Sequence, residues 1–189
     1  DGSVYRILTA DGEVRAVLRG KMKRDMPKLV VGDRVQLDAG DAAGTLGIAA
    51  VEERKSLLAR RVPEGRGHRP VVANPDQVIV VTATRDPEPI PQLVDRLLVV
   101  AEANQIPARV VLNKVDLAAG VELAERLRRA GYPVHCTSVK TGAGLEELRA
   151  ALLGQESVVT GPSGAGKSSL LNALEPGLRL RVGEISEKV

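Results

Sequence analysis

Gly161-Pro162-Ser163-Gly164-Ala165-Gly166-Lys167-Ser168 fits the spacing G-x-x-x-x-G-K-[ST] at every position. Before it, Ser157–Thr160 reads as a short apolar strand, and after it Lys167–Leu174 opens a helix, the context that this spacing requires. The glycines let the backbone curl so that successive N–H groups converge on an anion. The first turn of the helix adds its positive end. Lys167 is the side chain expected to reach the β- and γ-phosphates of a nucleotide, and the Ser168 hydroxyl to complete the coordination of Mg²⁺. Lys167 and Ser168 are thus the candidate catalytic pair, Ser168 is the candidate metal ligand, and Ser169 beside them joins the phosphate-binding set.

Working back from this loop, the chain reads as alternating strands and helices. Gln77–Ala83 is an unbroken apolar strand and Ile90–Asn104 has helical spacing. Ala108–Leu112 is a strand, Val121–Ala130 a helix, Pro133–Thr137 a strand and Leu145–Leu153 a helix. Strands that are apolar throughout, separated by amphipathic helices, predict an α/β domain with a doubly wound, mostly parallel sheet.

A phosphate loop does not choose a base, and its sequence also resembles that of ATP-using kinases. The choice comes from Asn113-Lys114-Val115-Asp116, directly after the strand Ala108–Leu112. Ligands of such sheets bind beyond the carboxyl ends of the strands. Guanine presents two adjacent donors, N1–H and the 2-amino group, which one carboxylate accepts as a bidentate pair. Adenine has an acceptor at N1 and nothing at C2, so Asp116 would be left unpaired. The Lys114 stem can lie over the base, and Asn113 can brace neighbouring loops. Ser138-Val139-Lys140, after the next strand, matches the S-A-K loop of GTPases except for Val139 in place of alanine.

Residues 1–62 differ in kind. Ser3–Thr9, Val14–Leu18, Leu29–Leu37, Gly44–Glu53 and Ser56–Arg61 read as five short strands separated by turns such as Asp11-Gly12. Five strands in so short a stretch fit a small barrel of the oligonucleotide-binding type, and an SH3-like barrel fits the same pattern. The expected organisation is a barrel over 1–65, a Pro- and Gly-rich linker over 66–75, and the nucleotide-binding domain over 76–189.

Residues 1–70 carry 14 Lys and Arg against 10 Asp and Glu, while 71–189 carry 13 against 14, so the net excess lies in the N-terminal third. Within 19–28, Arg19, Lys21, Lys23, Arg24 and Lys28 face only Asp25. Such a patch attracts polyanions, RNA above all, although a solvated basic loop has the same composition. Tyr5 and Tyr132 are the only aromatic residues, so any RNA contact would rest on phosphate and shape rather than base stacking.

Cys136 is the only cysteine, which excludes an intrachain disulfide and fits a reducing compartment. With His68 and His135 it makes no zinc-ligand spacing. No apolar run reaches the roughly 20 residues of a membrane helix, and the N-terminus lacks a secretion signal's pattern. A cytoplasmic monomer without a membrane partner is expected.

Ordinary small GTPases place the phosphate loop first. Here Asn113 and Ser138 precede Gly161, a permuted order behind a small barrel. That arrangement resembles the bacterial ribosome small-subunit-dependent GTPase A family. Val31-Gly32-Asp33-Arg34-Val35, Ala73-Asn74-Pro75-Asp76-Gln77 and Gly183-Glu184-Ile185-Ser186 agree with it. The resemblance implies a GTPase that binds GTP, GDP and Mg²⁺ and acts late in small-subunit maturation. In that family the barrel contacts ribosomal RNA, the subunit stimulates hydrolysis, and a backbone N–H of the Ser138–Lys140 loop meets guanine O6. The family pattern continues with a switch threonine, a D-x-x-G loop and a zinc-binding domain. None occurs before Val189, so zinc is expected only outside these residues, and GDP contacts are expected to survive here better than GTP contacts. A phosphotransferase using ATP or GTP on a small acceptor shares Lys167 and Ser168 but leaves Asn113–Asp116 without a role. An RNA-binding module with a vestigial nucleotide site is the third reading.

Overall fold

The computed structural model describes residues 4–18, 28–38, 45–61 and 67–178. The basic segment Arg19–Arg24, residues 62–66 at the junction of the expected barrel and linker, and Gly183–Ser186 lie outside these described residues. The chain divides between Asn74 and Pro75 into two compact units.

In the first unit, β1 (Val4–Thr9) and β2 (Gly12–Leu18) form an antiparallel hairpin. β4 (Leu46–Val51) runs parallel to β2, and β3 (Val35–Asp38) pairs antiparallel with β4, giving the order β1-β2-β4-β3. Ala16 and Ile48 are its buried centre. Small aliphatic residues fill this core because there is almost nothing aromatic to place there.

Two expectations change here. The fifth expected strand, β5 (Leu57–Arg61), does not join that sheet among the described residues. It pairs antiparallel with β6 (His68–Ala73), which occupies much of the stretch read as a linker. Pro70 is tolerated because it lies beside the register shift between Leu58 and Ala59, where a ladder N–H is dispensable. Leu58, Ala59 and Ala73 are buried, so this hairpin belongs to the first unit's core.

The second change is at Leu29–Leu37, of which only Val35 to Leu37 is strand. Residues 30–33 instead turn around the Asp33 carboxylate, which accepts Val30 N–H at 2.8 Å and the Arg54 guanidinium at 2.7 and 2.9 Å. The Asp33 side chain is 3% exposed, and its hydrogen bond holds Arg54 above its ordinary pKa in spite of burial. Asn74 completes the knot by donating to Gly32 O at 2.9 Å and accepting Lys55 N–H at 2.8 Å. The Val31–Val35 and Asn74 motifs therefore fasten the two sheets of this unit together.

The second unit contains β7 (Gln77–Ala83), β8 (Ala108–Asn113), β9 (Val134–Thr137) and β10 (Ser157–Thr160). All pair in parallel, in the order β10-β7-β8-β9. Between them run α1 (Pro91–Ala103), α2 (Val121–Arg129) and α3 (Leu145–Leu152), and α4 (Lys167–Leu174) follows β10. β7 is buried along its whole length, as a central strand covered on both faces must be. Ile79, Val81 and Val111 pack with Leu148 of α3 and with Leu170 and Leu174 of α4. The alternate residues Val78, Val80 and Val110 point the other way, toward the side of α1, which Asp95–Arg126 at 2.9 Å ties to α2. None of the helices among the described residues is long and apolar enough to cross a membrane.

His135 on β9 carries a buried Nε2 without a partner among the described residues. Burial lowers its pKa from an ordinary value near 6.5; the positive charges of Arg109 and Arg128 lower it further, against an opposing Glu147. The fold thus favours the neutral ring, and the unfolded chain binds the extra proton first. Stability from this group is present above about pH 6.5 and lost as pH falls below it. Denaturant titrations at pH 7.5 and 5.5 should show a larger acid loss for the native chain than for His135→Gln. Equal losses would remove His135 as the cause.

Candidate functional site

Every candidate loop leaves a strand of the parallel sheet at its carboxyl end. β10 runs into Gly161, β7 into Thr84, β8 ends on Asn113 and β9 leads to Ser138. Parallel pairing brings these ends to one edge whatever their order in the chain, which is why the permuted order is no obstacle.

Gly161 has φ 144°, and a Cβ there would stand 2.0 Å from Val81 O. Only glycine lets the phosphate loop leave the sheet so close to β7. Gly166 has φ 87° and its hydrogen faces Asn113 Nδ2, which a Cβ would meet at 2.5 Å. Ala165, within the same loop, is fully buried in the core. Among the described residues, the backbone N–H groups of Gly164, Gly166, Lys167 and Ser168 have no protein acceptor. They form the set of donors that a phosphate chain needs at a helix N-terminus.

Lys167 Nζ donates to Gly161 O at 3.0 Å and to Pro162 O at 2.7 Å, and burial lowers its pKa. The ammonium is therefore held inside the loop by carbonyls that a phosphate oxygen can replace. Ser163 at the loop's tip is exposed, Pro162 is half-buried, and Ser168 and Ser169 lie half-buried on the first turn of α4.

Asn113 links this loop to the end of β9. It is 2% exposed, donates from Nδ2 to Ala165 O at 3.0 Å and accepts Thr137 Oγ1–H at 3.2 Å. Val115 N–H donates to Thr137 O at 3.1 Å. Asp116 is exposed, and its Oδ1 accepts the buried Ser138 hydroxyl at 2.6 Å. That hydroxyl also accepts Thr141 N–H at 3.2 Å, so its own orientation is fixed. Val139 sends its side chain against the core cluster that includes Ala165 and Leu170. The valine that stands in place of alanine in this loop is thereby directed into the core. Lys140 is exposed and is not drawn into this network.

Two residues that sequence patterns did not single out belong to the same assembly. Thr137 is fully buried and holds both Asn113 and Val115. Thr84, 7% exposed, holds the main chain of Asn113 and Lys114. A polar residue at the end of an apolar strand is the only sequence signal either gives.

At the opposite end of the strands a cleft of about 470 Å³ opens among Gln77, Glu102, Arg109 and Tyr132. Its polar groups are largely structural. Gln77 donates to Ala151 O and Ser157 Oγ and accepts Arg109 Nε–H at 2.8 Å, and Asp76 accepts Glu156 N–H at 2.7 Å. None of the candidate residues lines it.

No group of three or more His, Cys, Asp and Glu side chains gathers as a metal cage among the described residues. The donor set fits Mg²⁺ in another way. This ion keeps several waters and takes one or two protein oxygens plus substrate phosphates. The Ser168 hydroxyl, half-buried on the first turn of α4, is an oxygen of the kind such an ion takes.

A model of the family described as RsgA GTPase matches residues 51–189. The small ribosomal subunit biogenesis GTPase RsgA of Gemmatimonas aurantiaca is 49% identical over 198 aligned positions, covering 100% of this chain and 64% of that protein. The protein of the same name from Thermotoga maritima is 44% identical over 177 positions, covering 91% of this chain and 57% of that one. Among solved structures, YjeQ from Thermotoga maritima superposes with a TM-score of 0.74 at 39% identity, covering 94% of this chain and 63% of that chain. YloQ, described as a circularly permuted GTPase, superposes with a TM-score of 0.68 at 28% identity, covering 92% of this chain and 61% of that one. The chain spans about three fifths of the length of the curated relatives it matches.

Proposed function

The chain belongs to the RsgA GTPase family, and from that premise we propose that it binds GTP and GDP and serves a GTP-hydrolysing factor in late maturation of the small ribosomal subunit. The observation that carries the nucleotide reading is Asn113, buried and bonded to both the phosphate loop and the base-reading side. One side chain thus sets the distance between the two ends of a guanine nucleotide. Asp116 accepts guanine N1–H and the 2-amino group, with Ser138 holding the carboxylate from behind. A backbone N–H of Ser138–Lys140 meets O6, and the Lys114 stem covers the base. Gly161–Ser169 supply backbone donors, and Lys167 exchanges its two carbonyls for the β- and γ-phosphate oxygens. Ser168 holds Mg²⁺, which supplies charge neutralisation across the phosphates when bound.

The ribosomal part of the reading draws on the names of the relatives and on the first unit's charge. In the β5–β6 hairpin, Arg60 stands directly opposite Arg69, with Arg61 beside them, all exposed. Cations placed directly opposite cations disfavour a hairpin unless a polyanion neutralises them. Ribosomal RNA is such a polyanion, and Arg19–Lys28 adds charge on the same unit. On this reading the subunit stimulates hydrolysis and the protein works as a cytoplasmic monomer.

Calorimetric titration with GDP and with ADP, both with Mg²⁺, tests the nucleotide reading. GDP should saturate one site and ADP should give little heat; equal or better ADP binding would bring the phosphotransferase forward. For the ribosomal reading, small subunits should retain the whole protein better with a non-hydrolysable GTP analogue than with GDP. Equal retention would count against a nucleotide-controlled partner.

A further inference from the structure

We infer that Thr84 is a positioning residue for guanine selectivity, acting through the main chain of Asn113 and Lys114; this rests on the guanine reading above. Thr84 is the first residue after β7. Its N–H donates to Asn113 O at 2.9 Å and its Oγ1 to Lys114 O at 2.8 Å. Lys114 returns a bond from Nζ to Asp86 O, so the Thr84–Asp86 turn both gives to and takes from the base-reading loop.

Lys114 has φ 65°, a left-handed conformation that a lysine adopts only where its surroundings impose it. The carbonyl that Thr84 holds is also the one that closes the next turn, accepting Leu117 N–H at 2.9 Å. Asp116 sits inside that turn. The Thr84 hydroxyl therefore fixes the peptide plane from which the Asp116 carboxylate is aimed, while Ser138 fixes the carboxylate itself. The Thr84 methyl has a separate task. A Cβ at Gly120 would come within 2.7 Å of Thr84 Cγ2, so the methyl packs against the backbone ahead of α2.

Because hydroxyl and methyl do different things, two substitutions separate them. Thr84→Val keeps the packing and removes the donor; Thr84→Ser keeps the donor and removes the methyl. Titrations with GDP and IDP, the latter lacking the 2-amino group that Asp116 reads, give affinity and selectivity together. Thr84→Val should weaken GDP about tenfold, through faster dissociation, since a half-buried carbonyl loses a donor and its turn loosens. IDP should weaken less, so the GDP-to-IDP ratio narrows. Thr84→Ser should restore the native ratio. A purely structural role would lower both nucleotides equally and lower the melting temperature of the nucleotide-free chain to match. That result, an unchanged Thr84→Val, or a Thr84→Ser as impaired as Thr84→Val would overturn the inference while leaving the guanine site standing. A native chain that takes up no GDP would overturn both.

Discussion

Asp116→Asn is expected to lower GDP affinity by about two orders of magnitude and to turn the site toward xanthosine diphosphate. In the proposed site the native carboxylate, acceptor-only, would meet two purine donors, one with each oxygen. Its Oδ1 already accepts the Ser138 hydroxyl at 2.6 Å. In the asparagine variant that hydroxyl continues to require an acceptor, so the amide oxygen stays on the Ser138 side and the NH₂ group turns toward the purine C2 position. Guanine places its own amino group there, donor against donor, which costs more than the lost ion-assisted pair alone. Xanthine carries a carbonyl at C2 and accepts from the amide. The orientation of the new amide is thus set in advance by a residue of another loop. Calorimetry of both proteins with GDP and XDP reads the exchange directly. If the base preference did not move, Asp116 would not be the base-reading residue, and Asn113–Asp116 would be only a structural turn.

The loops of the candidate site were legible in the chain as strand-end segments. Gly161–Ser168, Asn113–Asp116 and Ser138–Lys140 each need neighbours within a few positions, and each lies where a strand end puts it. The strands of the parallel sheet were legible because a strand covered on both faces is apolar throughout, as Gln77–Ala83 is. What escaped depends on partners far along the chain. Val30–Asp33 looks like strand until Arg54, 21 positions later, supplies a cation for Asp33. His68–Ala73 looks like linker because Gly67 and Pro70 are counted as breakers. Only its pairing with Leu57–Arg61 shows that Pro70 falls at a bulge. Thr84 and Thr137 escaped because one threonine at the end of an apolar run carries no pattern. Their roles arise when β7, β8 and β9 align their ends around Asn113. The distances involved are long: Asn113 and Ala165 are 52 positions apart and yet share a hydrogen bond.

Lys167→Ala should weaken GDP and XDP alike, by roughly two to three orders of magnitude, and leave the ratio between them unchanged. The ammonium is the only side-chain cation inside the phosphate loop, and burial has already lowered its pKa, so its charge acts in a poorly screened setting. The nucleotide-free chain loses something different. Lys167 then spans Gly161 O and Pro162 O, and alanine leaves these carbonyls to water. Its melting temperature should fall by only a few degrees, far less than the affinity would imply if folding were the cause. Combining Lys167→Ala with Asp116→Asn sharpens the test. In the proposed site the two side chains would meet opposite ends of the nucleotide, and no hydrogen bond joins them among the described residues. Their free-energy costs should therefore add to within about 0.5 kcal/mol. The one route by which they could couple is Asn113, which touches the phosphate loop at Ala165 and borders the base-reading turn. A coupling well above that limit in the double variant, abolished when Asn113→Ala is added, would mean that this side chain transmits strain between the two halves of the site. Additivity would mean that it acts as a rigid spacer.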